Sequence, residues 1–257
     1  MVQSPNFTAQ DAVQFGTITL VSGFIMRILV VNPNSTASMT KKIGECAADF
    51  ASAGTEIKVV NPAEAPVSIE GYYDEAMCLS GLLGEIRKGE AQGYDGFVIA
   101  CFDDTGLGAC REVASGPVLG ICEAGMHAAS MISTGFSVVT TLPRSVPIIE
   151  DLALLYGMDR RCRKVRAADI PVLALEDANG NARELVRAEV LRAVEEDGSE
   201  AILLGCAGMA DLTNWLTRET GVPVIDGVVA AVRMIEALVG AGLKTSKVGG
   251  YASPRSK

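Results

Sequence analysis

The feature that most constrains this chain is that it repeats itself. Gly96-Phe-Val-Ile-Ala-Cys101 is an apolar run of strand length ending on a cysteine, and Pro117-Val-Leu-Gly120 follows sixteen residues later. Ala201-Ile-Leu-Leu-Gly-Cys206 has the same form, and Pro223-Val-Ile-Asp226 follows seventeen residues later. Cys101 and Cys206 stand 105 residues apart, Pro117 and Pro223 stand 106 apart, and the runs opening at Arg27 and Phe136 stand 109 apart. Near-equal offsets predict two diverged copies of one α/β unit. The expected fold is therefore two pseudo-symmetric α/β lobes, each a central parallel sheet flanked by helices, with a cleft between them.

Short apolar runs without polar alternation suit parallel strands buried on both faces. They are expected at Met26–Val31, Glu56–Val60, Gly96–Ala100, Pro117–Gly120, Phe136–Val139, Ala201–Leu204 and Pro223–Ile225, with short apolar segments at 164–166 and 172–175. Helical stretches fall between them, one capped by Ser35 and a long one over about 177–197. Residues 26–121 plus about 227–242 are expected to form the first lobe and 122–226 the second. Residues 1–25 read as a poorly ordered extension, and 243–257 as a loosely held Ser-, Gly- and Lys-rich tail.

Of the 257 residues, 49% are apolar and 21% charged, with a net charge of −9, which describes a globular chain and gives no basic face for nucleic acid. The one basic run, Arg160 to Arg166, is short and flanked by acids, and is expected to be a solvated surface. No apolar run reaches the roughly 20 residues of a membrane span. Seven cysteines, none in a C-x-x-C pair, beside the single His127, speak against zinc and disulfides and for a reducing, cytoplasmic setting. Nucleotide binding lacks its glycine or GK[ST] signature. A serine hydrolase lacks G-x-S-x-G, and a Cys–His hydrolase would leave one of the paired cysteines unexplained.

A free cysteine is most often core, and Cys46, Cys78, Cys110, Cys122 and Cys162 are read that way. Cys101 and Cys206 differ because they recur at one strand end in both copies. Ligands of open α/β sheets bind at the carboxyl ends of the strands. Two facing lobes would thus bring these thiols to opposite sides of one bound molecule.

Asn32-Pro33-Asn34-Ser35-Thr36, Cys101-Phe102-Asp103-Asp104-Thr105-Gly106, Pro117 to Glu123 and Gly205-Cys206-Ala207-Gly208-Met209 resemble the aspartate/glutamate racemase superfamily. Within it, the chain is most similar to the hydantoin racemase branch, with the allantoin racemases beside it. The resemblance covers about residues 26–251. It implies a racemase working without PLP or metal, with Cys101 and Cys206 as the acid/base pair, and a 5-substituted hydantoin or allantoin as the small cyclic ureide substrate. Glutamate racemases carry polar residues where this chain has Phe102 and Ala207, which argues for a less polar ring. Self-association into a homo-oligomer is common among such enzymes. The superfamily also holds decarboxylases and other isomerases, and a two-lobed binding protein is the reading outside enzymes.

Racemisation needs a base on one face of a carbon and an acid on the other, a role two thiols can exchange. Helix starts after each cysteine are expected to favour the thiolate, and the amides near Thr105-Gly106 and Gly208-Met209 to stabilise an enolate. Asn32 and Asn34, and Thr140 and Thr141 at the matching strand end, are candidate substrate contacts. Asp103 and Asp104 both read as turn-forming or capping residues whose charge works against a thiolate at Cys101; the functional alternative is hydrogen bonding to ring N–H groups, for which Asp103 is the better candidate. Phe102, Ala207, Gly208 and Met209 are candidate walls of the substrate site.

Overall fold

In the computed structural model, residues 25–177 and 179–255 are described. The extension expected over 1–25 lies, apart from Ile25, outside them.

The first half runs β1 (Met26–Val31), α1 (Ala37–Phe50), β2 (Thr55–Val60), α2 (Tyr72–Ala91), β3 (Gly96–Ile99), α3 (Leu107–Val113), β4 (Val118–Gly120) and α4 (Ile121–Ile132). The second runs β5 (Phe136–Thr140), α5 (Val146–Leu155), β6 (Cys162–Ala167), α6 (Ala182–Asp197), β7 (Ala201–Leu204), α7 (Thr213–Thr220), β8 (Val224–Asp226) and α8 (Gly227–Gly240). Each half builds one four-stranded sheet, in the order β2-β1-β3-β4 and β6-β5-β7-β8. Every pairing is parallel. The orders superpose strand for strand, so the repeat in the sequence is a repeat in space. Register agrees too: Val31 pairs with Ile99, and Val139 with Leu204.

Strand alternation sorts each sheet's side chains into an inner and an outer set. Ile28, Val30, Val98, Phe136, Val138 and Leu203 face one continuous core that also takes in side chains of α1, α4, α5 and α8. Leu29, Val31, Phe97 and Ile99 face a separate core with α2 and α3. Val139, Ile202 and Leu204 face a third with α6 and α7. The two sheets thus sandwich a shared helical layer, and α4 packs on α8 inside it.

Three local expectations are corrected. Ser35 does not cap α1: the helix begins at Ala37, and the Ser35 hydroxyl and amide both donate to Pro66 O, tethering the loop after β2. The basic run is not wholly solvated. Its last member, Arg166, is 6% exposed, because it lies on β6 facing α6 and meets Glu189, Glu196 and Asp197 there. The tail is not loose throughout, being held at Thr245 and Lys247 against α3 and the loop before β4: Lys247 Nζ donates to Arg111 O and Glu112 O, and Thr245 Oγ1 to Gly116 O. Among the described residues no helix is long and apolar enough to cross a membrane. Cys78, Cys110 and Cys122 are core, whereas Cys46 and Cys162 are only partly buried.

Candidate active site

The site is assembled where the strands of both sheets end. Ala100 N still donates to Val31 O, and Gly205 N to Val139 O, so the ladders hold the chain up to the residue before each cysteine. Gly205 is required there, since a Cβ would stand 2.8 Å from Thr140 Cβ and 2.9 Å from Thr140 Cα. Thr140 Oγ1 donates to Gly205 O at 2.9 Å and locks this close approach. Cys101 and Cys206 then line one cavity of about 40 Å³, several times the roughly 10–15 Å³ that a single water occupies.

Asn32, Asn34, Phe102, Asp103, Thr140, Thr141 and Ala207 line the same cavity, so seven of the nine expected substrate contacts are brought together around both thiols. The other two are not among the lining residues. Met209 is fully buried in the second lobe's outer core, because a 3-10 turn over Ala207–Leu212 carries it inward. Gly208 sits behind Cys206 and serves it through its amide N–H. Met39, Ile69, Ser145 and Val172 also line the cavity. Sequence reading missed them. Ile69 and Val172 lie in connecting segments without periodicity, and only Ser145, just beyond the Thr140–Thr141 strand end, carried a usable signal.

The polar wall of the first lobe is largely self-braced. Asn32 Nδ2 donates to Asn34 Oδ1 and to Thr40 Oγ1, both at 2.9 Å, and Thr36 N also donates to Asn34 Oδ1. The Asp103 carboxylate differs: 8% exposed, it has no hydrogen-bond partner among the described residues. Burial, then the charges of Glu75 and Asp104, push it up to about 7. Its neighbour Asp104 adopts a left-handed φ of 46° and turns away from the cavity. It accepts from the amides of Cys122 and Glu123 at the start of α4 and from the Tyr156 hydroxyl at 2.7 Å. Of the turn and capping roles expected for the pair, Asp104 serves both, but the helix it caps is α4 and not the α3 that follows it.

The thiols depart from the helix-start expectation, while the Asp103 charge works against a thiolate at Cys101 as expected. Burial pushes Cys101 well above its ordinary range and Asp103 pushes it further, against the Asp103 amide and the Thr105 hydroxyl, which donates from 3.6 Å. Burial pushes Cys206 up to about 11; the Gly208 amide and Lys42 pull it down, while Asp103 and Asp226 push it up. Helix starts do not dominate because none abuts the sulfurs. α3 begins six residues after Cys101, and Cys206 is followed by the 3-10 turn. The Gly106 amide region is likewise outside the cavity lining.

Two thiols and a buried carboxylate lining one cavity at equivalent strand ends of two sheets make a setting for acid–base chemistry on a small molecule. Relatives with this frame are known. Hydantoin racemase of Rhizobium meliloti is 60% identical over 232 residues, covering 90% of this chain and 96% of the relative. Hydantoin racemase of Pseudomonas sp. (strain NS671) is 50% identical, covering 90% and 93%. A solved structure described as allantoin racemase from Klebsiella pneumoniae is 55% identical, with a TM-score of 0.89 over 90% of this chain and 95% of its own. Residues 28–235, spanning both sheets and both cysteines, match the Asp/Glu/Hydantoin racemase family, and the chain is an enzyme that belongs to it.

Proposed function

We propose that this enzyme interconverts the enantiomers of 5-substituted hydantoins by moving a proton off and onto C5 between Cys101 and Cys206. The observation that carries the reading is that both thiols line one cavity from equivalent ends of two sheets. The ring carbonyl beside C5 makes that C–H the acidic one, and its removal leaves a planar enolate. A thiolate on one face takes the proton, and the thiol on the other returns one, inverting the centre. A raised thiol pKa leaves less thiolate but makes it the stronger base. Asp103 accepts from a ring N–H, and the buried Thr141 and Asn34 face the ring's remaining polar edge. Phe102, Ile69 and Val172 form the wall for the C5 substituent.

Allantoin is itself a hydantoin, with a ureido group at C5. It is the second reading, favoured by the 55% identity to the Klebsiella pneumoniae structure. The seven unpaired thiols support a reducing, cytoplasmic setting. The exposed Tyr72, Tyr73 and Met77 on α2 offer an apolar face for self-association into a homo-oligomer.

The test is solvent deuterium exchange at C5 of each enantiomer of 5-benzyl-, 5-isopropyl- and 5-ureidohydantoin, followed with optical rotation. The wild type is expected to exchange and racemise, and the best substituent separates the two readings. Cys101→Ser and Cys206→Ser should each lose racemisation by about 10²–10⁴. Each should keep exchange, with retention, of one enantiomer only, and of opposite ones. Either variant racemising near the wild-type rate would sink the two-thiol mechanism.

A further inference from the structure

Behind the cavity wall, one charged side chain from the first lobe reaches into the second. Lys42 stands in the middle of α1, and its Nζ lies 3.4 Å from Leu175 O and 3.4 Å from Gly208 O. It also pairs with Glu176 at 3.3 Å and Asp211 at 3.8 Å. Gly208 is thereby held at both ends, since its carbonyl accepts from Lys42 while its amide N–H donates to Cys206 Sγ. Leu175 belongs to the 3-10 turn Val172–Glu176, whose first residue lines the cavity. One ammonium therefore fixes both the loop that carries Cys206 and the turn that covers it.

The surroundings of the two sulfurs are unequal. Facing Cys206 are Lys42 from α1, Asp103 from the loop after β3 and Asp226 from the end of β8. Lys42 also carries two counter-charges, Glu176 and Asp211, with side chains 20% and 49% exposed. Facing Cys101 are Asp103, the Thr105 hydroxyl and the Cys78 thiol of α2, with no cation among these groups. A positive charge favours a thiolate and a carboxylate opposes it.

We propose that Lys42 is a positioning residue that makes Cys206 the more readily ionised thiol of the pair, and so the first base, with Cys101 as the first acid. The proposal rests on the two-thiol reading and assigns an order to it. The free enzyme takes first the enantiomer whose C5–H faces Cys206. That proton passes to Cys206, Cys101 gives its own to C5, and the thiolate is then on Cys101. The resting form returns when Cys206 passes its proton, through solvent, to Cys101.

The experiment is alkylation of the full chain by iodoacetamide between pH 6 and 11.5 without substrate, with each cysteine's rate read by mass spectrometry. Cys206 is expected to react before Cys101 and with the lower midpoint pH. Lys42→Met should slow Cys206 about tenfold at pH 7 and raise its midpoint by about one unit, the two being the same quantity. Cys101's profile should not move, and Lys42→Arg should restore most of the Cys206 rate. A merely structural role would change both cysteines' plateau rates without moving either midpoint. The proposal is overturned if wild-type Cys101 has the lower midpoint, or if Lys42→Met leaves the Cys206 midpoint in place. Because alkylation needs no turnover, that failure is distinct from failure of the exchange experiment, which would remove the two-thiol reading itself.

Discussion

Asp103 and Asp104 are adjacent in sequence, and burial raises both to about 7, yet they serve different ends. Asp104 is saturated by two α4 amides and a tyrosine hydroxyl, whereas Asp103 lines the cavity without a hydrogen-bond partner among the described residues. A hydrogen bond to a charged group contributes about 1.5–3 kcal/mol, or roughly tenfold or more in binding. On the proposed reading it is the carboxylate form of Asp103 that would accept a ring N–H, and that form is gained as pH rises through about 7. KM for a hydantoin is therefore expected to fall as pH goes from 6 to 8. Asp103→Asn should raise KM about tenfold at pH 8, erase that trend and change kcat less. An unchanged KM in the variant would remove Asp103 from substrate recognition. Because the Asp103 charge also raises Cys101, the same variant should lower the midpoint of Cys101 alkylation.

At the scale of elements, β6 and α6 are joined by one guanidinium. Arg166 Nη1 meets Glu189 Oε1 at 3.0 Å, and Nε meets Asp197 Oδ2 at 2.6 Å, all three side chains being under 10% exposed. Breaking a buried pair from one side leaves the other charge uncompensated, at about 3–5 kcal/mol. Arg166→Ala is expected to lower Tm on the order of 10 °C at pH 7, read by circular dichroism. Burial would raise Asp197, but bonding to Arg166 wins and holds it below the usual carboxylate range. A group depressed in the fold stabilises above its unfolded pKa of about 3.9 and ceases to as pH falls through the folded one. The Tm gap between wild type and variant should therefore close below about pH 4, and a gap independent of pH would refute the ion-pair account. This hub was not legible in the sequence. Arg166 ends a basic run, and nothing local separates the one arginine that faces α6 from those that face water. The strands were legible because their apolar content is local. Lys42 was not, because its partners lie 133 and 166 residues away.

At the scale of the whole molecule, duplication was readable because strand ends carry chemistry and repeat at one spacing, whereas the shared helical layer, built from α1, α4, α5 and α8, has no repeat signature. That layer and the outer cores also bury thiols, with a consequence for the fold as a unit. Burial pushes Cys46, Cys78, Cys110 and Cys162 up to about 12, and Cys122 well above its ordinary range. A thiol in the unfolded chain ionises near 8.5. Between that pH and the folded value the native state binds more protons than the unfolded one, so stability falls as pH rises. The slope approaches about 1.4 kcal/mol per pH unit for each such thiol. Tm is therefore expected to decline steadily from pH 8.5 to 10.5. Cys110, fully buried between α2, α3 and the first sheet, lies outside the lining of the cavity that holds Cys101 and Cys206. Cys110→Ala should start from a lower Tm at pH 7, since it leaves a small void, and should then lose less with rising pH than the wild type does. Parallel curves for the two proteins would mean that thiol burial does not govern alkaline unfolding and that Lys and Tyr ionisation does.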